Sequence, residues 1–240
     1  MKKITFICLF FVALFLSQQS IAQEISSNEK YIFKKGDFNG IGKWYMGREI
    51  AHVMGFQGIG WLERSSREKE ENVTNLINNM KIKPNDTIAD IGAGSGYHTF
   101  RMAPLANRGM IYAIDIQPEM LMSIENTKAS GNFKNVKAIL GTETRINLPR
   151  NSVNKILMVD VYHEFNYPYE MIKSIKNALK PKGQLFLIEY RGEDPKVPIK
   201  RIHKMTEKQA VKEMNAAGFK LKKNLKNLPW QHCMIFELDN

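Results

Sequence analysis

The stretch Asp90-Ile91-Gly92-Ala93-Gly94-Ser95-Gly96-Tyr97 decides the fold. It closes an apolar run, Thr87–Ile91, of the kind that forms a buried strand, and opens a segment of helical character, Tyr97–Ala106. Glycines between a strand and a helix let a ligand approach the backbone at the carboxyl edge of a sheet. A tight turn without a ligand would use the same residues. What favours a ligand is Asp115, which closes the next apolar run 19 residues after Gly96. A carboxylate at a strand end can accept both hydroxyls of a ribose, so a nucleoside is expected.

Working outward, apolar runs recur at Met110–Ile114, Val136–Leu140, Lys155–Val159 and Gln184–Ile188. Helical segments are predicted between most of them, at Tyr97–Ala106, Pro118–Ser130 and Pro168–Leu179. Strand, helix and strand in succession predict an α/β, Rossmann-like doubly wound sheet with helices on both faces. Thr206–Ala217 reads as a capped helix ended by Gly218. Phe219–Leu225 and Gln231–Leu238 then read as strands joined through Asn227-Leu228-Pro229-Trp230, short enough for an antiparallel hairpin. Upstream, Ser65-Ser66-Arg67-Glu68 has the spacing of a capping box. Val73, Leu76, Ile77 and Met80 follow at helical spacing, which predicts an amphipathic helix ending before the Lys83-Pro84-Asn85-Asp86 turn.

Glycine spacing and Asp90 bear on which nucleoside is held. A dinucleotide sets its pyrophosphate against a G-x-G-x-x-G loop. Here the spacing is G-x-G-x-G with an acid beside it, which would repel a pyrophosphate and welcome the ammonium group of S-adenosyl-L-methionine. With these residues in view, Pro84 to about Tyr190 resembles the class I S-adenosylmethionine-dependent methyltransferases, over about half the chain. DIGAGSGY resembles their first motif and Ile114-Asp115-Ile116 their ribose-binding acid. Gly141-Thr142-Glu143 resembles the stretch that reaches the adenine, with the acid displaced by one position. Met158-Val159-Asp160-Val161-Tyr162-His163-Glu164 resembles the segment beside the reactive methyl, and Leu179-Lys180-Pro181-Lys182-Gly183-Gln184 the turn into the fifth strand.

The resemblance implies a seven-stranded sheet with the last strand antiparallel. It also implies cofactor contacts from Asp90, Gly92, Gly94, Gly96, Tyr97, Asp115, Ile116, Thr142, Glu143 and Asp160. A closer resemblance, through Trp61-Leu62-Glu63-Arg64, is to predicted exported methyltransferases of unknown substrate.

Methyl transfer depends chiefly on holding two reactants in line, which contributes roughly 7–11 kcal/mol. A general base adds about 10²–10⁴-fold. With Asp160 as the other catalytic candidate, His163 is the first choice of base: it follows Asp160 by three residues, and its unperturbed pKa is near neutral. A packing or capping role would place it equally well. Glu164 reads as a surface or helix-start acid and Tyr162 as a wall of the pocket. His98 reads as a cofactor contact or a solvent-facing residue, and His203 and His232 as further candidates to line a substrate site. The five histidines and Cys233 show no paired ligand spacing, so no metal is expected.

The segment Asp37–Arg64, with Trp44, Tyr45, Arg48, Glu49, His52, Trp61, Glu63 and Arg64, reads either as a lid over the cofactor edge or as a helical extension packed for stability.

At 240 residues, 43% hydrophobic and 25% charged, the chain suits one sizeable core. Lys2 and Lys3 precede an apolar run, Ile4–Leu16, and Ser20-Ile21-Ala22 supplies small residues for cleavage, so residues 1–22 read as a signal peptide. The expected organisation is signal peptide 1–22, N-terminal helical extension or lid 23–83, and cofactor-binding domain 84–240. Export to the periplasm or beyond follows, or a membrane anchor if the signal stays. Either way the cofactor must reach the side on which the domain lies. Cleavage leaves a single cysteine and no internal disulfide.

It also leaves 33 basic residues against 24 acidic, a net +9. Nucleic acid is therefore a permitted partner, but the lysines lack interleaved aromatics and read as a solvated face. A small-molecule acceptor is the favoured substrate. A protein or nucleic-acid methyltransferase, or a non-catalytic nucleoside binder, is the alternative.

Overall fold

The computed structural model describes residues 30–239, so the expected signal peptide lies outside the described residues. The chain first forms a small antiparallel sheet of β1 (Tyr31–Phe33), β2 (Gly40–Tyr45) and β3 (Arg48–Ala51). The helical extension expected for 23–83 is thus corrected in its first half. The reason is the two-residue turn Met46-Gly47, whose φ values of 49° and 96° give the twist-matched hairpin link. The hairpin buries Tyr31, Tyr45 and Ile50.

Short helices follow at Ile59–Leu62, Arg67–Glu71 and Val73–Asn79. The single amphipathic helix is broken at Asn72, which adopts the left-handed conformation and caps the last of these, its side chain accepting from Asn75 N at 3.1 Å. Ser66 makes no side-chain cap, so the capping box is not formed. The break lets Arg67 and Glu71 turn inward, where both are buried.

The seven-stranded sheet contains β4 (Thr87–Ile91), β5 (Met110–Asp115), β6 (Val136–Leu140), β7 (Val153–Val159), β8 (Leu179–Tyr190), β9 (Phe219–Leu225) and β10 (Gln231–Leu238). Their order is β6-β5-β4-β7-β8-β10-β9. Strands β4 to β8 pair in parallel, and β10 pairs antiparallel with both β8 and β9. The doubly wound sheet with a closing antiparallel hairpin is as the sequence predicts. Successive residues of the central strands feed opposite layers. Leu185 and Leu187 of β8 pack with the helix Pro168–Ala178, while Phe186 and Ile188 pack with Val73 and Leu76 on the other face. Burial on both faces is why these strands read as unbroken apolar runs.

Two boundaries differ from expectation. The helix after the glycine loop is regular only over Thr99–Met102, because Pro104 has no N–H to donate to Phe100. The helix Pro168–Ala178 stops one residue short, and Leu179 opens β8 through a bulge in which Val153 pairs with Leu179 and Lys155 with Gln184. Among the described residues no helix is long and apolar enough to cross a membrane. From β4 the chain winds outward through β5 and β6, and β7 reverses the direction, so the carboxyl ends of β4 and β7 flank the crevice where ligands bind in such sheets.

Phe186 is fully buried at the centre of the sheet. Phe186→Ala is expected to destabilise the fold by about 3–5 kcal/mol, seen as a lower urea midpoint with an unchanged slope.

Candidate active site

The glycine loop is tied to the neighbouring strand end. Gly92 N and Ala93 N both donate to Ile114 O, at 2.8 and 3.0 Å. Gly94 N donates to Asp115 Oδ2 at 2.9 Å, and Gln117 N to Asp115 Oδ1 at 3.0 Å. Burial raises the Asp115 pKa, and the backbone N–H groups of Gln117 and Gly94 partly offset that rise. Gly92 and Gly94 have φ of 67° and 56°. A Cβ on Gly92 would come within 2.3 Å of Val161 Cγ2, and one on Gly94 within 2.6 Å of Leu62 Cδ1. Only glycine leaves this cradle open.

The loop borders a cavity of about 440 Å³. Of the residues predicted from sequence, Gly92, Gly94, Asp115, Ile116, Thr142, Glu143, Asp160 and His163 line it together. Glu143 accepts from Asn166 Nδ2 at 2.6 Å.

Asp90, Gly96 and Tyr97 lie outside the cavity lining. Asp90 Oδ2 accepts from Thr99 Oγ1 at 2.7 Å, and burial pushes the Asp90 pKa up to about 6. A Cβ on Gly96 would meet Phe100 and Ile124, so this glycine serves packing. The Tyr97 ring lies beside the guanidinium groups of Arg67 and Arg101. His98 is not solvent-facing; it is buried, and burial holds its pKa well below the ordinary value.

Asp160 and Glu71 line the cavity. Asp160 follows β7 with φ of 51°; its Oδ2 accepts from Gln231 Nε2 at 2.5 Å, and its buried Oδ1 has no partner. Burial, then the Glu71 and Glu189 carboxylates, raise its pKa well above the usual range. Glu71 is held by Arg67 Nε at 2.8 Å, Arg64 Nη2 at 2.5 Å and the Tyr190 hydroxyl at 2.9 Å. Arg64 and Arg67 neutralise Glu71, and Arg67 also lines the cavity, so the partnerless Asp160 Oδ1 is the acceptor open to a cationic group, while Asp115 stands where a ribose acid is needed. The lining therefore fits S-adenosylmethionine. Arg67 and Glu71 were missed by sequence reasoning; the Arg67–Glu71 spacing resembles any surface ion pair on a helix.

His163 lies in a 3-10 turn, Tyr162–Glu164, after β7. Its Nδ1 is 2.7 Å from Glu189 Oε2, and its Nε2 is 3.1 Å from His203 Nδ1. Burial opposes its charge, but the Glu189 carboxylate outweighs that and raises its pKa. Burial and the neighbouring His163 push His203 down to about 4.

Glu164 is not a surface acid: it is largely buried, and its Oε2 accepts from Met54 N at 3.2 Å. Tyr162 is not a pocket wall; it is fully buried and donates to Glu213 Oε2 at 2.7 Å. His203 lines the cavity, whereas His232 pairs with Glu193 at 2.8 Å away from it. Spacing along the chain gave no sign of metal ligands, yet folding brings His163, Glu164 and His203 within reach of one another.

The segment Asp37–Arg64 divides by role. Val53, Met54, Trp61 and Leu62 cover the cavity. Glu63 accepts from the Ser95 hydroxyl in the glycine loop, and Phe56 N donates to Gln117 Oε1 at 2.8 Å. Tyr45, Arg48 and Glu49 instead build the small sheet and its anchorage. Glu49 accepts from Asp37 N and Gly42 N, and Arg48 pairs with Glu213 at 2.9 Å. Trp44 lies under Lys34, and Arg64 pairs with Glu70. His52 is exposed.

A sequence profile described as a methyltransferase domain matches residues 82–233. The chain is 28% identical over 109 residues to a ubiquinone/menaquinone biosynthesis C-methyltransferase of Wigglesworthia glossinidia brevipalpis, covering 45% of this chain and 44% of that one. It thus spans less than half the length of that relative. It is 29% identical over 144 residues to the methyltransferase YdaC of Bacillus subtilis, covering 60% of this chain and 76% of that one. A SAM-dependent methyltransferase from Aquifex aeolicus shares the fold, with a TM-score of 0.72 and 22% identity over 77% of this chain and 98% of that one.

Because the Asp160 pKa is raised on folding, its ionisation opposes the folded state, and the opposition grows as pH rises above about 4. Asp160→Asn keeps an acceptor for Gln231 and removes the charge facing Glu71 and Glu189. It is expected to raise the melting temperature more at pH 8 than at pH 5, by about 2–4 °C per kcal/mol recovered. Differential scanning calorimetry at the two pH values checks this.

Proposed function

The chain belongs to the methyltransferase-domain family, and from that premise we propose that it transfers the methyl group of S-adenosyl-L-methionine to a small-molecule acceptor. The observation that carries the reading is the meeting, in one cavity, of an open glycine cradle, a backbone-locked Asp115 and the partnerless carboxylate oxygen of Asp160. Small-molecule sites run to about 300–1,000 Å³, and a cavity of 440 Å³ roofed by Met54 and Leu62 is of that class.

Within this reading, Asp115 takes the ribose hydroxyls and the glycine cradle admits the cofactor close to the backbone. Thr142, Glu143 and Ile116 border the base. Asp160, with Glu71 beside it, holds the cationic end. When bound, the cofactor supplies a sulfonium methyl: the acceptor's lone pair forms the new bond to carbon as the carbon–sulfur bond breaks, its electron pair returns to sulfur, and the acceptor's proton leaves. His163, backed by Glu189, is the polar group of the cavity at which that proton is withdrawn. Met54, Trp61 and Leu62 exclude water and the bulk of a macromolecule, which supports a small acceptor over nucleic acid. Export through residues 1–22 belongs to the same proposal, supported by Lys2-Lys3 and the apolar run Ile4–Leu16.

Calorimetric titration with S-adenosylmethionine, with NAD as the contrasting ligand, tests the cofactor. Asp115→Ala is expected to weaken S-adenosylmethionine binding at least tenfold. Binding of neither ligand would overturn the proposal. Once an acceptor is in hand, His163→Gln is expected to lower kcat about 10²–10⁴-fold while changing cofactor affinity little; a change confined to affinity would remove His163 from the chemistry.

A further inference from the structure

We propose that His163, Glu164 and His203 bind a divalent first-row transition metal ion of the zinc type in the wall of the cavity. The donors come from two separate places: His163 and Glu164 from the turn after β7, and His203 from the 3-10 turn Arg201–His203 after β8. His163 Nε2 is 3.1 Å from His203 Nδ1, and Glu164 Oε1 is 3.7 Å from each. A triangle with those sides has its centre about 2.0 Å from every corner. Zinc–nitrogen and zinc–carboxylate bonds are about 2.0–2.2 Å long.

The surrounding groups aim these atoms inward. Glu189 is fully buried and takes His163 Nδ1 at 2.7 Å, which sets the tautomer and leaves Nε2 to the cluster. Glu189 is itself held by Tyr162 N at 3.0 Å. Met54 N engages Glu164 Oε2, leaving Oε1 for the cluster. A carboxylate behind a ligating histidine is the usual outer support of a metal site.

Two imidazole nitrogens and one carboxylate favour zinc and its neighbours over magnesium or calcium, which prefer oxygen donors throughout. Three protein ligands with the remaining position open is the arrangement of a catalytic site, not a structural one. All three residues line the cavity, so the open position faces it.

The site stands on its own geometry; its role in catalysis rests on the methyl-transfer reading. There, a hydroxyl of the acceptor binds at the open position and loses its proton to solvent near neutral pH, because the cation stabilises the oxyanion. The oxygen lone pair then forms the bond to the methyl carbon as the carbon–sulfur bond breaks. With the metal bound, His163 serves as a ligand in place of withdrawing the proton itself, and the acceptor class becomes an oxygen acid.

The test uses untagged, chelator-treated protein titrated with Co²⁺, read by visible absorption and displaced with Zn²⁺. S-adenosylmethionine binding is measured on the same samples. One Co²⁺ per chain is expected, with at least a hundredfold loss of affinity in His203→Ala and in Glu164→Gln, and about 10–100-fold in Glu189→Gln. His232→Ala, which alters a different imidazole–carboxylate pair, should leave Co²⁺ binding unchanged. Absence of Co²⁺ and Zn²⁺ binding in protein that binds S-adenosylmethionine would overturn the metal site and leave the methyltransferase reading intact. Co²⁺ binding indifferent to both ligand variants would overturn it too. Co²⁺ binding at the cluster without S-adenosylmethionine binding would keep the site and sink the methyltransferase reading.

Discussion

The carboxylate of Asp115 holds the site together. Each of its oxygens accepts a backbone N–H, one from Gly94 in the loop after β4 and one from Gln117 after β5. Parallel pairing of β4 with β5 brings the two loops side by side but does not orient them. The carboxylate does so, with charge-assisted bonds about twice as strong as neutral ones. Once the loop is set, Gly92 and Gly94 face Val161 and Leu62 across gaps that a methyl group would close. The same loop then receives the covering segment through Ser95 and Glu63, and Gln117 receives it through Phe56. One ionised side chain thus sets the cradle and indirectly its roof.

A second constraint is buried charge on the far side of the cavity. Arg48 of β3 pairs with Glu213 through two bonds of 2.9 Å and donates to the His163 carbonyl at 3.0 Å. Leaving either charge buried alone would cost about 3–5 kcal/mol, so the small sheet is locked to the main domain. That attachment positions His163 from behind while Glu189 positions it from the side. The N-terminal sheet therefore contributes to the site without lining it, and the chain that follows, from Val53 to Leu62, is delivered over the cavity.

The parallel sheet and the closing hairpin were legible because the central strands are buried on both faces and separated by helix-period or turn signals. That Gly92, Gly94, Asp115 and Asp160 border one cavity was legible because position at a strand's carboxyl end places them there. Asp90 lies within its strand, where a residue can turn to either side, and Thr99 binds its carboxylate. The β-hairpin at Met46-Gly47 was missed because methionine is an unusual occupant of a left-handed turn position.

By itself, then, the sequence determined the fold class, the succession of strands and helices and the place of the glycine loop, since hydrophobic periodicity and glycine spacing are properties of neighbours along the chain. Only the tertiary structure decided the meeting of Asp160 with Glu71, the burial of Glu164, and the meeting of His163 with Glu189 and His203. Those groups come from segments separated by 26 to 89 positions in the sequence. Their charges act on one another over a few ångströms in a region shielded from water, a proximity that no spacing along the chain encodes.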